Sequence, residues 1–163
     1  MAETLPFRYL AVDGPIGVGK TSLVDRLVRR FEAVTVLEEV AHPFLPDFYQ
    51  DRPGAAFQTQ MYFLLSRYKQ QQEIVQQEIF QRLVISDYTF QKDRIFAYLT
   101  LGDDDLALYD KLYTTLEPQV PVPDLVLYLT ADVDTCMARI KKRARGFERE
   151  ISEEYLSELI DAY

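Results

Sequence analysis

The sequence predicts an α/β fold, a doubly wound parallel sheet flanked by helices, as one domain over residues 1–163. Three observations carry this expectation. Four short runs rich in β-branched residues are apolar on consecutive positions, as in strands buried on both faces. Stretches with helical spacing separate these runs. Between the first run and the first helix lies a glycine-rich octapeptide, Gly14-Pro15-Ile16-Gly17-Val18-Gly19-Lys20-Thr21. Such alternation implies right-handed crossovers and a ligand site beyond the carboxyl ends of the strands.

The first strand is predicted at Phe7–Asp13 and the first helix at Lys20–Phe31. A second strand, Val34–Glu38, leads into a stretch broken by Pro43, Pro46 and Pro53, which predicts a loop across the sheet top. A long helix follows from about Ala55 to Phe80, its apolar Tyr62, Phe63, Leu64, Leu65 and Tyr68 reading as packing surface. The third strand is Leu83–Asp87, and two helices lie within Lys92–Leu116. Pro118, Pro121 and Pro123 stiffen the connector into a fourth strand, Leu125–Thr130. A helix over Asp134–Arg145 comes next, and Ser152-Glu153-Glu154-Tyr155 opens a last one, Ser152–Ala162, with an N-cap serine and early acids.

The octapeptide fits G-x-x-x-x-G-K-[ST], with a strand before it and a helix after it as the motif requires. Its backbone N–H groups, from Gly14 through Ile16, Gly17, Val18 and Gly19 to Ser22, are placed to cradle phosphate oxygens. Lys20 then reaches the outer phosphates, the Thr21 hydroxyl can hold Mg²⁺, and the positive end of the helix faces the same anion. The second and third predicted strands, like the first with Asp13, end in acids. Glu38 or Glu39 can take a proton from an attacking hydroxyl, or is a solvated strand end. Asp87 closes the third strand as a Walker B acid does and can reach Mg²⁺, or else caps a turn. Arg139 and Arg143 share a helix face and continue to Arg145. They suit a helix C-terminus, a mobile cluster over nucleotide phosphates, or a nucleic-acid patch. Gln60 and Arg67 stand near the apolar face of the long helix, where glutamine can bond a base edge or simply meet water.

A net charge of −8 argues against a nucleic-acid surface. Cys136, the only cysteine, excludes an internal disulfide and suits a reducing cytoplasm; it reads as a small core residue. The only histidine, His42, reads as a loop residue that cannot build a metal cluster alone. Neither a signal peptide nor an apolar span of membrane length is present in these residues, so a soluble, unexported chain is expected.

Taken in order, these motifs resemble the deoxynucleoside kinase family from the phosphate loop to the last residue. Glu38-Glu39-Val40 is similar to the family's Glu-x-Val, whose first glutamate is the base for the 5′-hydroxyl. The stretch from Phe48 to Pro53 resembles the segment in which a tyrosine, here Tyr49, holds the sugar 3′-hydroxyl. Gln60 matches the glutamine that pairs with the base, and Arg67 and Asp93 match two polar residues lining the base pocket. The basic segment resembles the family's arginine-rich lid, which puts Arg139, Arg143 and Arg145 around the donor phosphates, with Glu148 at a second 3′-hydroxyl contact. The resemblance implies a P-loop kinase fold, ATP as phosphoryl donor, Mg²⁺, a deoxynucleoside acceptor and a homodimer, with no nucleic-acid or membrane partner. A thymidylate-type monophosphate kinase shares the cradle, the Asp and the lid, and a nucleotide-binding switch shares the cradle alone. Two departures from the family pattern stand out. Tyr88 takes the place of an arginine after the third strand, leaving Arg94 or a lid arginine as the candidate replacement. The pattern also continues in the family with a further helix and strand, so a C-terminal strand is expected to be missing here.

Overall fold

Strand β1 (Tyr9–Asp13) runs through the centre of a four-stranded parallel sheet. β3 (Val84–Ser86) and β4 (Leu125–Tyr128) pair on either side of it, and β2 (Val34–Val36) pairs outside β3. The computed structural model describes residues 5–39, 44–79, 83–144 and 146–163, with backbone alone for 77–79, 147 and 150. His42 and Arg145 lie outside the described residues.

All of β1 is buried, and its side chains divide by parity, as a pleated strand requires. Tyr9 and Ala11 pack with Ile74 of α3 (Ala55–Ile79), while Leu10 and Val12 pack with Val24 of α1 (Lys20–Phe31). This two-sided burial is what consecutive apolar residues predict. It fails for β4: Leu125, Val126 and Tyr128 are 37–46% exposed. Among the described residues β4 is a sheet edge with one partner strand, so apolar composition overstated its burial.

The proline-broken stretch contains a short helix, α2 (Leu45–Tyr49), where a loop was expected. Pro46 sits in its first turn, where a missing N–H leaves no helical bond unmade. The two helices expected before the fourth strand are α4 (Lys92–Thr100) and α5 (Asp103–Leu116); both join α3 around Leu64, Phe90, Ala97, Tyr109 and Tyr113.

The Asp132 carboxylate accepts the Thr135 N–H at 2.7 Å and starts α6 (Val133–Arg143). That helix stops where Ala144 turns left-handed at φ 53°. A 3-10 turn, Gly146–Glu150, leads to α7 (Glu153–Ala162), capped by the Ser152 hydroxyl on the Tyr155 N–H. Cys136 is fully buried between α6 and α7 with Ile140, Leu156 and Leu159, in the core role expected of it.

Candidate active site

Asp13 closes β1, and Glu38 and Asp87 follow β2 and β3, so the chemistry-bearing acids gather at the carboxyl edge of the sheet. Asp13 is spent on architecture: it accepts the Gly14 N–H at 2.8 Å and the hydroxyl of Thr89. The loop that follows requires glycine. Gly14 and Gly17 have φ of +147° and +83°, and a Cβ on either would lie 2.6 or 2.7 Å from the carbonyl oxygens of Leu129 and Cys136. Gly19, at φ +103°, caps α1. Lys20 curls back over this loop and donates to the Gly14 and Pro15 carbonyls at 2.7 and 3.1 Å. Burial, and then the charge of Lys92, bring its pKa down to about 8.

An open groove runs outward from the loop, lined by Gly17, Val18, Gly19, Lys20, Thr21 and Ser22 and by Arg139 and Arg143. Arg26 and Lys142 line it too, two cations that the motif does not mark. Val18 contributes backbone: its side chain is in the core, and its carbonyl accepts Arg139 at 2.7 Å.

On the other side of Lys20 opens a cleft of about 740 Å³, mouth included. Ile16, Gly17, Lys20 and Thr21 form one end of it, and Tyr49, Gln60, Arg67 and Glu148 line the remainder. Glu38 sits between. Its Oε1 accepts from Arg67 and its Oε2 from Lys92 at 2.7 Å. Burial alone would raise its pKa, but the charges of Lys92 and Arg67 outweigh burial and hold the carboxyl well below the usual carboxylate range. Glu39 is exposed and bonds the Ser66 hydroxyl at 3.1 Å, outside the cleft lining.

Arg67 is fixed from several directions. One nitrogen donates to Asp93, another to Glu38, and its guanidinium lies 4.5 Å from the Phe63 ring centroid. Asp93 is fully buried behind Arg67 and also accepts the Tyr109 hydroxyl; it is not among the residues lining the cleft. Its place is therefore that of a support for Arg67, where a direct pocket contact was expected. Tyr88, standing where the family pattern has an arginine, is buried with its hydroxyl on Gln70 at 2.8 Å and its ring 6.0 Å from Arg67. Arg94 does not replace that cation: it lies at the surface with Tyr98 and Asp110. The second positive charge beside Glu38, with that of Arg67, is Lys92, a residue that no motif marks. A lysine opening a helix, against the helix dipole, was the signal available.

Tyr49 packs edge-on against Phe48 and Tyr155, and burial raises its pKa well above the ordinary value. Gln60 is buried, its Nε2 at 3.4 Å from the Thr100 hydroxyl and its Oε1 without a hydrogen-bond partner among the described residues. Glu148 pairs with Arg143, accepting from Nε at 3.0 Å, which ties the basic segment to the cleft. Thr21 and Asp87 both line the cleft. Asp87 gives one oxygen to the Glu38 N–H at 2.7 Å, leaving the other available; burial raises its pKa.

The deoxynucleoside kinase family model matches residues 10–163. The chain belongs to that family. A deoxyguanosine kinase of Bacillus subtilis is 38% identical over 163 residues, covering 99% of this chain and 78% of that protein. A deoxyadenosine kinase of Dictyostelium discoideum is 36% identical, covering 99% of this chain and 67% of that one. Among solved structures, deoxyadenosine kinase from M. mycoides with dCMP and dCDP bound superposes with a TM-score of 0.82 at 28% identity. That match covers 94% of this chain and 80% of the other. As a deoxynucleoside kinase the chain is an ATP-dependent phosphotransferase, moving a phosphoryl group from ATP to a deoxynucleoside to give its 5′-monophosphate.

Proposed function

We propose that this kinase acts on purine deoxynucleosides, with Glu38 as the base for the 5′-hydroxyl. The observation that carries this reading is the position of Glu38, the carboxylate held by Arg67 and Lys92 within one cleft that runs from Lys20 to Gln60. A nucleoside lying along that cleft brings its 5′-hydroxyl to Glu38, its base to Gln60 and Arg67, and its 3′-hydroxyl to Tyr49 and Glu148. Gln60 Oε1 and Arg67 Nε are a buried acceptor and donor with no hydrogen-bond partner among the described residues, so a base edge satisfies atoms that are costly to leave alone. The purine preference rests on the relatives, a deoxyguanosine and a deoxyadenosine kinase.

In the transfer, Glu38 accepts the hydroxyl proton as the new O–P bond forms and ADP departs. Lys20 and the backbone of the loop hold the donor phosphates, with Arg139 and Arg143 at the groove. Thr21 and Asp87 are the residues to hold Mg²⁺, which usually takes one or two protein ligands plus phosphate oxygens and neutralises their charge. Asp93 acts through Arg67. We further assign the protein to the cytoplasm, in keeping with the buried free thiol of Cys136, and to a homodimer. Exposed Leu65 on α3 and Leu108 on α5 offer apolar surface for a second copy.

The test is ATP consumption with Mg²⁺ against the four deoxynucleosides and thymidine monophosphate. Deoxyadenosine or deoxyguanosine should lead the panel. Turnover confined to thymidine would overturn the purine reading, and turnover confined to the monophosphate would point to a thymidylate-type acceptor.

A further inference from the structure

We propose that Lys92 is a second catalytic lysine, whose ammonium holds Glu38 with one N–H and takes the transferring phosphoryl group with the others. The inference rests on Glu38 being the base, and it begins from the different ways in which two cations hold that carboxylate. Arg67 is committed: it bonds Asp93 on one side and Glu38 on the other. Lys92 has Glu38, at 2.7 Å, as its salt-bridge partner. An ammonium carries three N–H groups, and this one lines the cleft that Lys20 and Thr21 also line.

Its location makes little sense as a packing device. Lys92 is 4% exposed and opens α4, at the positive end of the helix dipole. Both burial and that dipole disfavour a cation there. An incoming phosphoryl group removes both penalties at once, and the N–H groups not bound to Glu38 are the donors for it. Base and electrophile are then held by one nitrogen, which fixes the distance over which the hydroxyl oxygen must act. In this step the O5′–P bond forms and the bond from γ-phosphorus to the ADP oxygen breaks. The hydroxyl proton goes to Glu38, and Lys92 keeps its own protons throughout.

The experiment compares K92M and K92A with the parent enzyme. Steady-state kinetics, calorimetric deoxynucleoside binding and the effect of added methylammonium are the readouts. Removing the ammonium should lower kcat by roughly 10²–10³, as loss of one pre-organised donor does. The KM and the Kd for the deoxynucleoside should stay within about threefold of the parent values. Methylammonium should restore part of the K92A rate in a saturable way. A K92M rate within about threefold of the parent, or a K92A enzyme indifferent to methylammonium, overturns the proposal. A lysine needed only for folding would weaken nucleoside binding along with turnover, and that outcome overturns it too. Failure of the underlying reading is distinguishable, because it appears in the parent enzyme or in E38Q, which would then turn over normally.

Discussion

The donor groove and the acceptor cleft share Lys20 but are built in opposite ways. On the donor side the cradle is consecutive backbone, and two of its cations rest on main-chain carbonyls: Lys20 on Gly14 and Pro15, Arg139 on Val18, while Arg143 pairs with Glu148. The carbonyls are neutral partners that a triphosphate readily displaces. On the acceptor side the groups come from separate elements and are locked in ion pairs, with Asp93, Arg67, Glu38 and Lys92 forming one buried chain. Breaking one such pair leaves an uncompensated buried charge, which is costly. The donor side is thus exchangeable and the acceptor side pre-set. The general lesson is that a shared substrate can be met by a common loop, while the substrate to be selected needs a fixed frame.

The largest expected effect breaks both sides at their shared residue. Lys20→Ala should abolish turnover, since transfer depends on charge neutralisation at the phosphates; measurable phosphorylation by that variant would remove the loop from the mechanism. Next, Glu38→Gln should slow turnover by roughly 10²–10⁴, the range for a general base, while calorimetry finds deoxynucleoside binding largely intact. An undiminished rate would take Glu38 out of the reaction. Gly17→Ala is aimed at the phosphate loop, which lines the groove and forms one end of the cleft. Its Cβ would meet the Cys136 carbonyl oxygen at 2.7 Å in a left-handed conformation, and such strain costs about 1–3 kcal/mol. ATP binding should weaken with deoxynucleoside binding unchanged; parallel loss of both would show that the two sides are not independent.

The smallest change lies outside both. Asp124 accepts the Arg8 and Tyr9 N–H groups at 2.8 and 2.9 Å, fastening the start of β4 to β1. Asp124→Ala should cost about 1 kcal/mol in urea unfolding at neutral pH and leave both ligands bound as before. The same bonds lower the Asp124 pKa. Its contribution is therefore present above the unfolded value, about 3.9, and fades as pH falls through the folded one. The gap between the Ala variant and the parent should accordingly close in acid.

The contrast between the two sides also explains what the sequence could reveal. The donor loop is contiguous and its chemistry follows from glycine and backbone geometry, so Gly14–Thr21 could be read directly. The strands were legible because β1 and β3 are buried on both faces. β4 was misjudged because an edge strand can be as apolar as a central one. The acceptor side depends on residues distant in sequence, and the residue types alone left Gln60 and Arg67 open between function and solvent. Family resemblance supplied their roles, yet it could not show that Asp93 stands behind Arg67. Nor could it show that Lys92 pairs with Glu38. Such contacts arise from the crossing of β2, α3 and α4, which no local pattern encodes.

The approach of Gly14 to the Leu129 carbonyl and of Gly17 to the Cys136 carbonyl has a consequence for how such a protein can change. At these points the phosphate loop meets the residue after β4 and the start of α6 through main-chain carbonyls. Their spacing is consequently not adjustable by ordinary substitution. Variation along the exposed face of α6 leaves this backbone approach as it is. An exchange that moved the loop into another scaffold without β4 and α6 would separate it from the surface that gives it shape. For recombination or engineering, residues 14–17 and 129–136 are one inherited unit, although more than a hundred positions lie between them.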